Sequence, residues 1–139
     1  MIQTEDQKIN PFRLEKTCTA CPAQWEGFTD TGREVYIRYR GDRFSVHVAC
    51  EQFPDIWSEE AWKHDEPCIL DIGNALGEPG NGWMTTYQMQ KLLIKHNLTK
   101  KLSFGDKVVI ELDNITEYIL GYWYGYRYKI RRYINKILG

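Results

Sequence analysis

The sequence predicts an α+β fold, an antiparallel β-meander sheet packed with one central helix and a C-terminal helix. Three observations carry this. Residues 21–49 contain three runs of alternating apolar and polar side chains, separated by the turn signals Asp30-Thr31-Gly32 and Gly41-Asp42. Residues 85–97 open with a helix start signal, and residues 115–138 return apolar side chains at helical spacing.

The first 15 residues are polar and are expected to be flexible. In the meander, a two-residue Gly41-Asp42 loop suits a type II′ hairpin, which pairs Tyr39 with Phe44, Ile37 with Val46 and Val35 with Val48. The same register sets Arg40 opposite Arg43, Arg38 opposite Ser45 and Tyr36 opposite His47. A slip of one residue would mix these two sets. A three-residue Asp30-Thr31-Gly32 loop, with Gly32 at positive φ, pairs Trp25 with Ile37 and Gln24 with Arg38. One face of the sheet is therefore apolar, and the other carries Tyr36, Arg38, Arg40, Arg43 and His47.

Residues 50–67 read as an acidic loop with a short helix at 58–63, anchored to the body by Trp57 and Trp62. Residues 68–72 read as a strand, followed by a Gly- and Pro-rich loop through Gly82. Thr85 and Gln88 form a capping box, with Met84 and Met89 as its hydrophobic staple, so a helix follows to about His96. Residues 107–112 read as a strand entered through a Gly105-Asp106 turn. A C-terminal helix begins at the capping pair Asn114 and Glu117. Within it, Tyr122, Tyr124, Tyr126 and Tyr128 alternate as in a strand, and Gly121 and Gly125 each weaken a helix by about 1 kcal/mol.

At 139 residues the chain has the length of a single domain and can bury a core without disulfides. Aromatic content of 14% is high, and such side chains concentrate in sheet cores and at sites that stack bases or fill pockets. A net charge of −1 argues against a surface built for non-specific nucleic-acid binding, yet it conceals an acidic segment at 51–66 and a basic one at 127–136. The N-terminus lacks the apolar core of a secretion signal, and no run approaches the roughly 18 apolar residues of a membrane span. A cytoplasmic protein without membrane contact is expected, whose four cysteines are thiols or metal ligands.

No motif for nucleophilic catalysis, nucleotide hydrolysis or dinucleotide binding is present, so a non-enzymatic role is expected. The Gly77–Gly82 stretch lacks the Lys and Ser/Thr of a phosphate loop. Cys18-x-x-Cys21 followed by His47-x-x-Cys50 has the spacing of a zinc site, in which Cys68 can stand in for His47. A structural zinc on Cys18, Cys21, Cys50 and Cys68 is thus the one cofactor to consider, against the plainer reading of idle thiols. The row of Tyr36, Arg38 and Arg40 with Arg43 beside it suits phosphates and bases, with Trp83, Trp123 or Arg127 as further contacts. Its plainer counterpart is a solvated sheet face.

At Cys21-Pro22-Ala23-Gln24-Trp25-Glu26-Gly27, and on through Thr29, Gly32-Arg33 and Val35-Tyr36-Ile37-Arg38-Tyr39-Arg40, the sequence resembles small uncharacterised proteins of bacteria and their phages. A weaker likeness follows at residues 84–93. The resemblance implies a phage anti-defence protein in the host cytoplasm, acting either by sequestering a nucleotide-derived immune signal or by occluding a defence protein, and the Arg/Tyr face favours the first. Two other functions fit the same chain: an inhibitor that blocks a host defence protein, and a zinc-supported nucleic-acid-binding module. The apolar C-terminal segment adds the expectation of a homodimer or higher homo-oligomer.

Overall fold

The computed structural model describes residues 3–18, 23–64, 67–77 and 83–138, without the side chains of 117, 118, 120–131. The chain falls into two compact units, Met1–Lys101 and Leu102–Gly139. Among the described residues of the first unit, five strands form one antiparallel sheet in sequence order: β1 (Leu14–Cys18), β2 (Ala23–Phe28), β3 (Glu34–Arg40), β4 (Arg43–Val48) and β5 (Cys68–Ile72). The α+β meander is the predicted one, widened by a strand at each edge.

Both hairpins have the register that alternation requires. Trp25 faces Ile37 across β2 and β3, and Ile37 faces Val46 across β3 and β4, with Arg40 opposite Arg43 at the hairpin end. Gly32 and Gly41 hold φ of +88° and +61°, a conformation that side chains with a Cβ adopt at a cost. The inward row is fully buried: Trp25, Ile37, Phe44, Val46 and Val48 have no exposed surface. Each such side chain contributes roughly 1.5–3 kcal/mol of burial.

Helix α2 (Thr86–Lys95) packs its apolar stripe into this core. The Thr85 hydroxyl accepts from Gln88 N at 3.0 Å, and the Gln88 side chain accepts from Thr85 N at 2.9 Å, which completes the capping box. Met84 and Met89, on either side of that cap, are buried in the same cluster as Leu92 and Leu93. Trp25 Nε1 donates to Thr86 Oγ1 at 3.2 Å, so the largest core side chain keeps its polar atom partnered. A short helix α1 (Glu59–His64) begins at Ser58, whose hydroxyl accepts from Ala61 N.

Two expectations need correction. Residues 3–15, expected to be flexible, pack against the sheet and the end of α2. Ile9 is fully buried, its amide donates to Leu98 O at 2.9 Å, and its carbonyl accepts from Lys100 N at 2.9 Å. Gln7, also buried, donates through Nε2 to Val48 O at 3.0 Å. One buried isoleucine among polar neighbours has no periodicity to reveal it. Gly27 on β2 completes the arrangement, because a Cβ there would sit 2.1 Å from Arg13 O.

The second correction concerns residues 107–112, which are helical and not a strand. Helix α3 (Phe104–Leu138) is continuous for 35 residues. Its start signal is a reciprocal cap: Asp106 N donates to Ser103 Oγ at 3.1 Å, and Ser103 N donates to Asp106 Oδ2 at 3.0 Å. The β-branched run Val108-Val109-Ile110 mimics a strand, and the cap overrides it. No described helix is long and apolar enough to cross a membrane.

Two predictions follow from the ordered N-terminal segment. Gly27→Ala forces Arg13 away from β2 and should lower stability by about 2–3 kcal/mol in urea unfolding, with loss of β1 amide protection in hydrogen exchange. The second concerns acid. Asp6 lies below its ordinary 3.8 because it accepts hydrogen bonds from Thr4 and Arg33, and Asp30 because it accepts from Asn10 and Lys100. Their depressed values stabilise the fold above pH 3.8, and that contribution is lost as pH falls through the folded values. The melting temperature should therefore drop below that pH, and Arg33→Ala should flatten the dependence.

Candidate functional site

Period-two alternation along β3 sends Val35, Ile37 and Tyr39 into the core and Tyr36, Arg38 and Arg40 to the other face. β4 adds Arg43, Ser45 and His47 to that face. β5 pairs Asp71 with Ser45 and Cys68 with His47, which extends the same rows by one strand. The segment after β4 then folds back over the face. Ile56 and Ala49 bury Tyr36 in a second, small cluster. Trp57 meets the Tyr36 ring edge-on at 4.9 Å and lies 5.9 Å from the Trp62 ring.

The result is a cavity of about 250 Å³. Its lining contains Tyr36, Arg38, Arg40 and Arg43, with Trp62 as an aromatic wall and Asp71 as the carboxylate of the set. Arg43 is held by Asp71, with Nη2 at 3.0 Å and Nε at 3.2 Å from one carboxylate oxygen. These hydrogen bonds push the already high Arg43 value further up. Burial raises the Tyr36 hydroxyl above its usual value, opposed by the positive charge of Arg38 and reinforced by Glu26. Tyr36 thus stays neutral and available as a hydrogen-bond donor at physiological pH.

Two features of this lining work against stability. Arg40 and Arg43 are direct cross-strand partners, and like charges so placed repel. Arg38 is the sharper case, because its Nε is buried and meets no hydrogen-bond acceptor among the described residues. A buried donor without a partner costs about 1–3 kcal/mol. Local conflicts of this kind concentrate where a protein binds something.

The four side chains expected to form the site, Tyr36, Arg38, Arg40 and Arg43, are brought together in one cavity. Trp83, expected to stack there, is 57% exposed and is not part of the lining. The side chains of Trp123 and Arg127 lie outside the described residues. Trp62 is the tryptophan of the lining instead. Trp57 and Trp62, expected to anchor the acidic loop, do so over the Arg/Tyr face, where Trp57 meets the Tyr36 ring. Asp71 was missed because the strand at 68–72 had no assigned neighbour, whereas Ser45 was placed on this face, opposite Arg38, without a binding role.

The described cysteines are dispersed. Cys18 ends β1 and Cys68 begins β5, the two opposite edges of the sheet, while Cys50 follows β4 and Cys21 lies outside the described residues. Four strand spacings separate the edges, roughly 19 Å in a flat sheet. Among the described residues no three His, Cys, Asp or Glu are placed to hold a metal ion. Compared with known proteins, the chain matches no protein-family model, no curated protein and no solved structure.

The unpartnered Arg38 donor yields a prediction about the ligand-free protein. Arg38→Met keeps the aliphatic stem and removes the buried N–H, so it should leave stability unchanged or raise it by up to about 1 kcal/mol in urea unfolding. A marked loss would mean that the guanidinium is already satisfied within the fold.

Proposed function

We propose that this chain is a non-catalytic binding protein that captures a small nucleotide-type anion in the cavity over β3, β4 and β5. The observation that carries the reading is the buried Arg38 Nε, a donor without an acceptor among the described residues, in a lining with three arginines and one carboxylate. A phosphate oxygen would satisfy that donor and relieve the Arg40–Arg43 repulsion together. Trp62, 55% exposed in the lining, supplies flat surface for a base. A volume of about 250 Å³ lies just under the range of 300–1,000 Å³ usual for small-molecule pockets, and so favours one nucleotide unit inside with the remainder of a larger ligand outside.

Capture alone is a sufficient activity for a protein that removes a signalling nucleotide from circulation. Sequestration of a nucleotide immune signal by a phage-type protein is the role we assign to it. Thermal shift against nucleoside phosphates, cyclic dinucleotides, cyclic trinucleotides and ADP-ribose derivatives tests it. A ligand at one hundred times its dissociation constant should add about 2.7 kcal/mol, and Arg38→Met or Arg40→Ala should abolish the gain. If no member of the panel stabilises the wild-type chain, the reading is wrong.

A second reading has its own observation: Trp57 and Trp62 are 46% and 55% exposed beside the acidic residues Glu59 and Glu60. Exposed tryptophans are common anchors for a protein partner. A host protein retained from lysate by wild type and by Arg38→Met alike, but not by Trp57→Ala, would favour an inhibitor over a nucleotide trap.

A further inference from the structure

The cavity holds a side chain that capture of an anion does not call for. Asp71 places a negative charge beside three arginines, which weakens their hold on any phosphate. Its ion pair with Arg43 does not account for it. The Arg43 and Asp71 side chains are 61% and 40% exposed, and pairs so exposed contribute little to stability.

Sheet register fixes where this carboxylate stands. Arg38 on β3, Ser45 on β4 and Asp71 on β5 are successive cross-strand partners, so they form one row over three neighbouring strands. Strands lie about 4.8 Å apart, and the row therefore runs from guanidinium to carboxylate over roughly 10 Å. Arg40 and Arg43 flank it at the end of the β3–β4 hairpin. Positive charge is thus gathered on β3 and β4, and the carboxylate lies one strand beyond. An anion attracted by the arginines and repelled by Asp71 seats over β3 and β4, which brings the uncharged part of the same ligand beside Asp71.

The carboxylate is also oriented. Arg43 Nη2 and Nε both donate to Oδ1, at 3.0 and 3.2 Å, while Oδ2 accepts no hydrogen bond among the described residues. An ionised carboxylate only accepts, so Oδ2 calls for an O–H or N–H of the ligand. In a nucleotide seated this way the nearest donors are ribose hydroxyls, about one strand spacing from phosphorus, whereas the pairing edge of the base lies about two away. The 2′-hydroxyl is the one left free when nucleotides are joined through their 3′ and 5′ positions. It is also the group by which a protein tells a ribonucleotide from a deoxyribonucleotide.

We infer that Asp71 is the specificity-determining residue of the cavity: its carboxylate accepts a hydrogen bond from the ribose 2′-hydroxyl, so the captured ligand is a ribonucleotide and not its 2′-deoxy counterpart. This inference rests on the reading of the cavity as a nucleotide site. Calorimetric titration of the full chain with nucleoside 5′-monophosphates and 3′,5′-cyclic dinucleotides, each in ribo and 2′-deoxy form, tests it. Wild type should bind the ribo form of its ligand about tenfold or more tighter than the deoxy form. Asp71→Ala should bring that ratio to about one while binding the deoxy form at least as tightly as wild type does, because Arg43 is released from its carboxylate. Asp71→Asn, which keeps an acceptor oxygen, should retain part of the ratio. Equal binding of the two forms by wild type, a ratio that Asp71→Ala leaves unchanged, or an equal loss of both forms in Asp71→Ala would overturn the role of Asp71 and leave the nucleotide reading standing. Failure of wild type to bind any member of the panel would overturn both.

Discussion

The register of the β3–β4 hairpin is the constraint on which the rest of the first unit depends. Gly41, at positive φ, allows a two-residue turn, and that turn sets every pair from Arg40–Arg43 to Val35–Val48. A one-residue slip would carry Tyr36, Arg38 and Arg40 into the apolar core and expose Ile37 and Tyr39. The burial of Ile37, Phe44 and Val46 holds the arginine row in place on the opposite face. Core stability and site geometry are two sides of one alternating pattern.

That coupling explains how the chain tolerates an electrostatically unfavourable cavity. Three arginines on neighbouring strand positions repel, and Asp71 offsets one of them. The cost falls on a hairpin whose other face is closed by Trp25, α2 and the buried N-terminal segment. Under the proposed function, a pre-formed lining of fixed donors would lose little conformational entropy on binding an anion. Tyr36 takes part in both economies, since the Ile56 cluster that buries it also keeps its hydroxyl protonated.

The second unit follows a different logic. A single helix has no interior, so its apolar stripe can be covered only by something outside itself. The Ser103–Asp106 cap and the continuous period make α3 one long element instead of the strand and shorter helix that local composition implies. The glycines at 121 and 125 fall within a helix that continues through both. Propensity penalties of about 1 kcal/mol each are small beside the summed preference of 35 residues.

Much of this protein was legible in the residues themselves. The three central strands, their pairing, the Gly32 and Gly41 turns, the Thr85 cap and the membership of Tyr36, Arg38, Arg40 and Arg43 in one row all follow from period-two alternation and turn chemistry, which are local properties. The edge strand β1, the buried Ile9 and Gln7, the arrival of Trp57 and Trp62 over the arginine face, and the dispersal of Cys18 and Cys68 to opposite edges do not. Each depends on contacts between segments far apart in the chain, for which a single sequence carries no period and no cap. The sequence by itself determined which side chains share a face; only the tertiary structure decided which segment folds over that face and turns a row of arginines into a cavity.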